Sequence, residues 1–166
     1  MMRWVLWSTI FAFAIDQISK YVVIHMMDLS RIRVIDVLPP LLTFRYGENR
    51  GINFGLLSNG AEASRILLIV LALVICAVVL VWVRRSPMRP VALVSAGMLV
   101  GGALANVVDR VLYGYVLDFL NTSCCGLNNP FVFNIADIFI FAGALGLVIF
   151  TGDAKKPAPG TRKTGR

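Results

Sequence analysis

The stretch VALVSAGMLVGGALANVVDRVL, residues 91–112, decides the fold. It opens on apolar and small residues, as hydrocarbon demands, and closes on Asn106, Asp109 and Arg110. Three other stretches, 4–26, 66–83 and 131–150, are as apolar and long enough to cross a bilayer, which takes ~20 residues. Two of these also carry charge: Asp16 and Lys20 in the first, Asp137 in the last. If the helices alternate in direction, all five charged residues fall at one membrane face. An ionisable group in hydrocarbon costs ~2.5–3.5 kcal/mol even on the lenient insertion scale, so five at one depth mark a site.

With 58% hydrophobic residues the chain is not a soluble globule. The net charge of +7 suits a membrane orientation better than a nucleic-acid partner. Arg84, Arg85 and Arg89 fill the turn between the second and third stretches, and Arg3 precedes the first. Lys155, Lys156, Arg162, Lys163 and Arg166 fill the tail. Both termini are therefore expected in the cytoplasm and the charged level at the outer face of an inner membrane. Arg31, Arg33, Arg45, Arg50 and Arg65 oppose this, but Asp28, Asp36, Glu48 and Glu62 lie among them. Arg3 with Ala12-Phe13-Ala14 mimics a cleavable signal. Hydrophobicity resumes from Ile18 to Ile24, so an uncleaved first helix is expected.

The expected architecture is an all-α membrane protein, a four-transmembrane-helix bundle with a small extracytoplasmic antiparallel β-sheet inserted between helices one and two. One domain covers 1–151, and 152–166 form a disordered basic tail. The sheet comes from 31–58, where Val34, Ile35 and Val37 precede Pro39-Pro40, Leu41 to Tyr46 form a β-rich run, and Ile52, Phe54 and Leu56 alternate with polar or small residues. Two or three short strands with a turn at 49–51 fit this pattern, resting on helix ends or lipid because so small a sheet is unstable alone.

Cys76 lies mid-helix and reads as packing. Cys124 and Cys125 are adjacent in the second outer loop, and neighbouring cysteines seldom bridge each other. His25, the one histidine, sits at a helix end. No Cys/His spacing suits a metal, and no cofactor is expected.

Asp16 and Lys20 stand four apart on one helix face, acid first, as an intrahelical ion pair prefers; a buried strut is favoured over direct catalysis. Asn106, Asp109 and Arg110 project to adjacent faces of helix three. Arg110 cannot lose its proton, so it must reach water, a headgroup or a carboxylate. Gly101, Gly102, Ala103 and Ala105 let another helix or a peptide come close. Asp118 lies just past helix three, and Asp137 about two turns into helix four with Asn134 on the same face. Two carboxylates meeting at a poorly hydrated edge should not both ionise. One can then take a proton from water while the other donates to a scissile carbonyl. Taken alone, the pair suits a proton or cation pathway equally well.

Five blocks make the reading specific: Asp16-Gln17-Ile18-Ser19-Lys20, Asn49-Arg50-Gly51-Ile52-Asn53-Phe54, residues 101–110 from Gly101-Gly102 to Asp109-Arg110, Val116-Leu117-Asp118-Phe119, and Phe133-Asn134-Ile135-Ala136-Asp137. In this order, the chain resembles the bacterial lipoprotein signal peptidases (signal peptidase II) over nearly all of 4–150. Ala105 departs from the glycine more usual there. The resemblance implies an aspartic endopeptidase that cleaves diacylglyceryl-modified prolipoproteins on the N-terminal side of the lipidated cysteine. It places catalysis on Asp118 and Asp137. Asn49, Gly51, Asn106, Arg110 and Asn134 become substrate-binding or site-ordering residues, and Asp16, Lys20 and Asp109 a supporting polar network. It also implies phospholipid neighbours, a monomer, and inhibition by cyclic peptide antibiotics of the globomycin type. A small transporter or channel subunit is the rival, but it needs charges at several depths, and helix two has none in its interior. A non-enzymatic scaffold leaves the two aspartates unexplained.

Overall fold

A computed structural model describes residues 2–51, 60–124 and 129–151. Helix α1 (Met2–Lys20) runs on into a π-helical turn (Tyr21–Met26) and a short α2 (Leu29–Ile32). Strands β1 (Val34–Leu38) and β2 (Leu42–Asn49) follow, then helices α3 (Gly60–Arg85) and α4 (Pro90–Tyr113), strand β3 (Val116–Thr122) and helix α5 (Ile135–Thr151). Pro90 opens α4 at a position where its missing N–H is harmless. Gly114, at φ 84°, closes the helix in the left-handed conformation, with its N–H bonded to the Arg110 carbonyl. Among the described residues, Glu62–Arg85 and Pro90–Tyr113 are long and apolar enough to cross a membrane; Ile135–Thr151 is apolar but shorter.

Helix α4 is the hub, packing against α1, α5 and α3. Its approach to α1 and α5 depends on missing side chains. A Cβ on Gly101 would collide with the Thr9 carbonyl of α1, and one on Gly102 would lie 2.5 Å from the Ala136 carbonyl of α5. The two helices therefore contact α4 backbone to backbone, where dispersion contacts are densest. Val5, Leu93, Ala96, Val100 and Leu147 fill the seam, joined by Val79 and Val83 of α3. The outer faces stay apolar: Trp7, Phe11, Leu67, Val74, Val78, Phe141 and Val148 are all exposed. Such a surface suits lipid and would aggregate in water.

The sheet has the order β1-β2-β3, antiparallel throughout. Ile35, Phe44, Phe119 and Leu120 pack with Val23, Ile24 and Leu29 from the end of the first helical segment and α2, so the sheet rests on the bundle's end.

Several sequence expectations change. The β1–β2 hairpin turns at 39–41, over the cis Pro39-Pro40 bond, and the chain turns again at 49–51, where Gly51 is left-handed and its N–H bonds Asn49 Oδ1. The third strand comes from 116–122, beyond helix three, so the sheet is not confined to the insertion between helices one and two. β3 was illegible because six of its seven residues are buried, so the polar–apolar alternation of a half-exposed strand is missing. Helix α3 is longer than 66–83 at both ends. The α-helical hydrogen bonding of the first helix stops at Lys20. Helix α5 starts at Ile135, not 131, because Phe133 pairs with Leu120 of β3 instead of entering the helix. Cys124 is disulfide-bonded, and Cys76 is free and buried. The expected alternation at Ile52, Phe54 and Leu56, Cys125, and the tail 152–166 lie outside the described residues.

Candidate active site

The charged ends of α1, α4 and α5 converge on the base of β3. Lys20 lies 2.7 Å from Asp16 and 2.6 Å from Asp109, all three buried. A buried ion pair is costly unless its remaining lone pairs are also satisfied, and here they are. Asp16 Oδ1 accepts the Ala136 N–H at 2.8 Å, and Asp109 Oδ2 accepts the Leu117 N–H at 3.1 Å. Gln17 donates to Asp109 at 3.0 Å and to Asp16 at 3.3 Å. Among the described residues, no buried side-chain N or O lacks a hydrogen-bond partner. Each carboxylate thus grips the backbone N–H one residue before a predicted catalytic aspartate: Ala136 before Asp137, and Leu117 before Asp118.

Asp118 projects from β3 opposite Gly47 of β2 and is buried. Asp137 stands in the first turn of α5 rather than two turns in, and Asn134 precedes the helix as its cap. The Asp137 N–H donates to Asn134 Oδ1 at 2.9 Å, and the Asn134 N–H reaches back to Asp137 Oδ2 at 3.4 Å. This reciprocal pair is a capping box, which also sets the acid against the positive end of the helix dipole. Asn134 links the two acids, since its Nδ2 donates to Asp118 Oδ1 at 2.6 Å. The same Nδ2 lies 3.2 Å from Asn106 Oδ1, and Asn106 Nδ2 donates to Asp137 Oδ1 at 2.9 Å. Asn49, at the end of β2, also hydrogen-bonds Asp118, while its Oδ1 accepts the Gly51 N–H at 3.1 Å. Gly51 has φ 77°, a left-handed turn that a side chain would strain, and a Cβ there would strike Leu68 of α3.

Burial raises the Asp118 carboxyl to about 7, helped by the Asp137 charge and opposed by the Asn134 and Asn49 hydrogen bonds. Arg110 Nη1 donates to the Asn106 carbonyl of its own helix at 3.3 Å, and its charge is felt most by Asp137 and then Asp118. The guanidinium therefore faces the acids rather than bulk lipid. All ten residues singled out in the sequence lie in or beside this network, Gly51 and Asn49 at its edge. Gln17 was missed as a participant, although an amide between two spanning charged positions was the available signal. No group of three or more His, Cys, Asp or Glu side chains suited to a metal occurs among the described residues.

An apolar groove of about 440 Å³ lies between α3, α4 and α5 and ends at Asn106, the residue that hydrogen-bonds Asp137. Leu68, Leu71 and Ile75 line one wall and Ala103 the other, with Asn106 and Arg110 as its polar end. A long apolar ligand can lie there with its polar end at Asn106 and Arg110.

A family model described as signal peptidase (SPase) II matches residues 8–152. The lipoprotein signal peptidase of Alteromonas mediterranea is 42% identical over 148 residues, 87% of this chain and 78% of that protein. That of Methylorubrum extorquens is 38% identical over 88% of this chain and 82% of its own length. Two solved structures, each described as a bacterial membrane enzyme, superpose with TM-scores of 0.74 and 0.75. They share 25% and 26% identity over 95% and 92% of this chain, and 94% of each of theirs.

Proposed function

We propose, from the premise that this chain belongs to the signal peptidase II family, that it cleaves lipidated prolipoproteins by an aspartic mechanism centred on Asp118 and Asp137. The chain is a peptidase of lipoprotein maturation, and the transporter alternative finds no support among its relatives. The observation that carries the aspartic reading is that one residue, Asn134, donates to both carboxyls, its side-chain amide to Asp118 and its backbone N–H to Asp137, near an apolar groove.

Asp118, raised to about 7, supplies the protonated acid near neutrality. Asp137, whose two oxygens accept N–H donors from Asn106 and Asn134, is the base that takes a proton from water. As Asp137 takes its proton, the water attacks the scissile carbonyl and Asp118 protonates the carbonyl oxygen; the tetrahedral species then collapses, the C–N bond breaking as Asp137 passes its proton to the leaving amine and Asp118 takes one back from a hydroxyl. Arg110 holds the substrate backbone at the groove's polar end while Asn106 orders Asp137, and Asn49 and Gly51 hold the substrate from the sheet side. The groove takes the diacylglyceryl chains and the apolar signal helix, and a globomycin-type cyclic peptide is expected to compete there. The protein spans the inner membrane four times as a monomer, termini in the cytoplasm and acids at the outer face.

The test is cleavage of a purified diacylglyceryl prolipoprotein by Asp118→Asn and Asp137→Asn. Each is expected to lose at least about a hundredfold in kcat while remaining folded, the scale of removing a general acid or base. Turnover close to wild type by either variant rejects the dyad.

A further inference from the structure

We infer that Lys20 is a positioning residue for this reaction: its ammonium group locks the Asn106 amide so that the amide nitrogen, and not the oxygen, faces Asp137. The inference rests on the reading of Asp137 as the base.

Asn106 sits between the two clusters. Its Oδ1 accepts from Lys20 Nζ at 3.4 Å and from Asn134 Nδ2 at 3.2 Å, and its Nδ2 donates to Asp137 Oδ1 at 2.9 Å. An asparagine amide can turn over at little cost where its neighbours are ambivalent. These neighbours are not ambivalent. An ammonium has only donors and an ionised carboxylate only acceptors. Turned over, Asn106 would aim its NH₂ at the Lys20 ammonium and at the Asn134 NH₂. Its oxygen would then face the Asp137 carboxylate, which is repulsion at both ends.

Lys20 can exert this control because it is itself fixed. Asp16 of its own helix and Asp109 of α4 hold Nζ at 2.7 and 2.6 Å, and its side chain is 4% exposed. It lies behind Asn106 and hydrogen-bonds that amide, and although its charge also favours the ionised form of Asp118, it reaches Asp137 through the amide. Orientation therefore passes from α1 to α4 to α5. An ion pair that looks like a helix strut also decides which atom meets the base.

The decisive variant is Asp16→Asn/Lys20→Met/Asp109→Asn. It leaves no buried charge unpaired and keeps acceptors for the Ala136 and Leu117 N–H groups, so the scaffold role is preserved while the ammonium is gone. Steady-state cleavage of a diacylglyceryl-modified peptide by the full-length chain in lipid nanodiscs is the readout, with thermal melting to establish folding. The expected result is a folded protein with KM unchanged and kcat lower by about a hundredfold, the scale of a misplaced reacting group. A folded triple variant with wild-type kcat, or one altered in KM alone, overturns the inference.

If the triple variant does not fold, Asn106→Asp decides the matter. It keeps the volume and the acceptor toward Lys20 but cannot donate to Asp137. A comparable fall in kcat with unchanged KM supports the inference, and wild-type kcat overturns it. Asp137→Asn run in parallel separates the two readings: full activity there defeats the aspartic mechanism itself, whatever Lys20 does.

Discussion

The two sides of α4 are built on opposite terms. Toward α1 and α5, its backbone meets theirs across Gly101 and Gly102, and buried charges tie all three at one end. Toward α3, the contact is confined to residues such as Cys76, Val79 and Val83, and above these the helices part into an apolar groove. In the proposed mechanism, one side fixes the reacting groups and the other leaves room for what they act on. Catalysis needs acids held within fractions of an ångström, whereas acyl chains and an apolar helix need only volume and hydrophobic walls.

The strongest way to break this contrast, after removing either aspartate, is to wedge the tight side. Gly102→Leu places a side chain where even a Cβ would lie 2.5 Å from the Ala136 carbonyl, pushing the start of α5 and Asp137 outward. We expect kcat to fall by about a hundredfold, checked by single-turnover cleavage with melting to follow the packing loss.

A pH profile sharpens the electrostatic half of the comparison. Asp118 must be protonated to act as the acid, and that form dominates below about 7. In the wild type, kcat/KM should therefore decline about tenfold per pH unit above that point. The same raised carboxyl favours the folded state most at acid pH, and this contribution is lost as pH rises through about 7. A profile flat from pH 6 to 9 would contradict the assignment of Asp118.

The loose side should respond in binding alone. Ala103→Leu fills the groove near Asn106 and is expected to raise KM about tenfold for a lipidated substrate, with kcat little changed. The smallest effect belongs to the lipid-facing surface. Val74→Ala, exposed on α3, should alter stability by no more than about 0.5 kcal/mol and leave cleavage alone.

Much of the tight side was legible in the sequence, because charge inside an apolar run is conspicuous and must be paired. The Asp16–Lys20 spacing, the polar end of helix three and the small residues at 101–103 all pointed to contacts the structure contains. The segments bearing the acids were harder. Val116 to Asn121 is buried on both faces, so nothing alternates, and the strand passed for a connection. Phe131 and Phe133 extended the apolar run of helix four backwards and hid its true start. The spacing of Asn134 and Asp137 held the missing signal, since a capping residue with an acid three positions later marks the first turn of a helix. The pairing of β2 with β3 was invisible because it joins segments far apart in the chain, Glu48 and Asn49 with Leu117 and Val116.

The groove runs between α3, α4 and α5, helices whose outer surfaces are themselves apolar, and among the described residues that line it Arg110 at its polar end is the one charged group. A substrate anchored by acyl chains would then arrive sideways, without leaving the bilayer. Encounter becomes a search in two dimensions, governed by molecules per unit area of membrane. Diluting the same substrate and enzyme with extra lipid should slow the reaction, whereas adding buffer to the same vesicles should not.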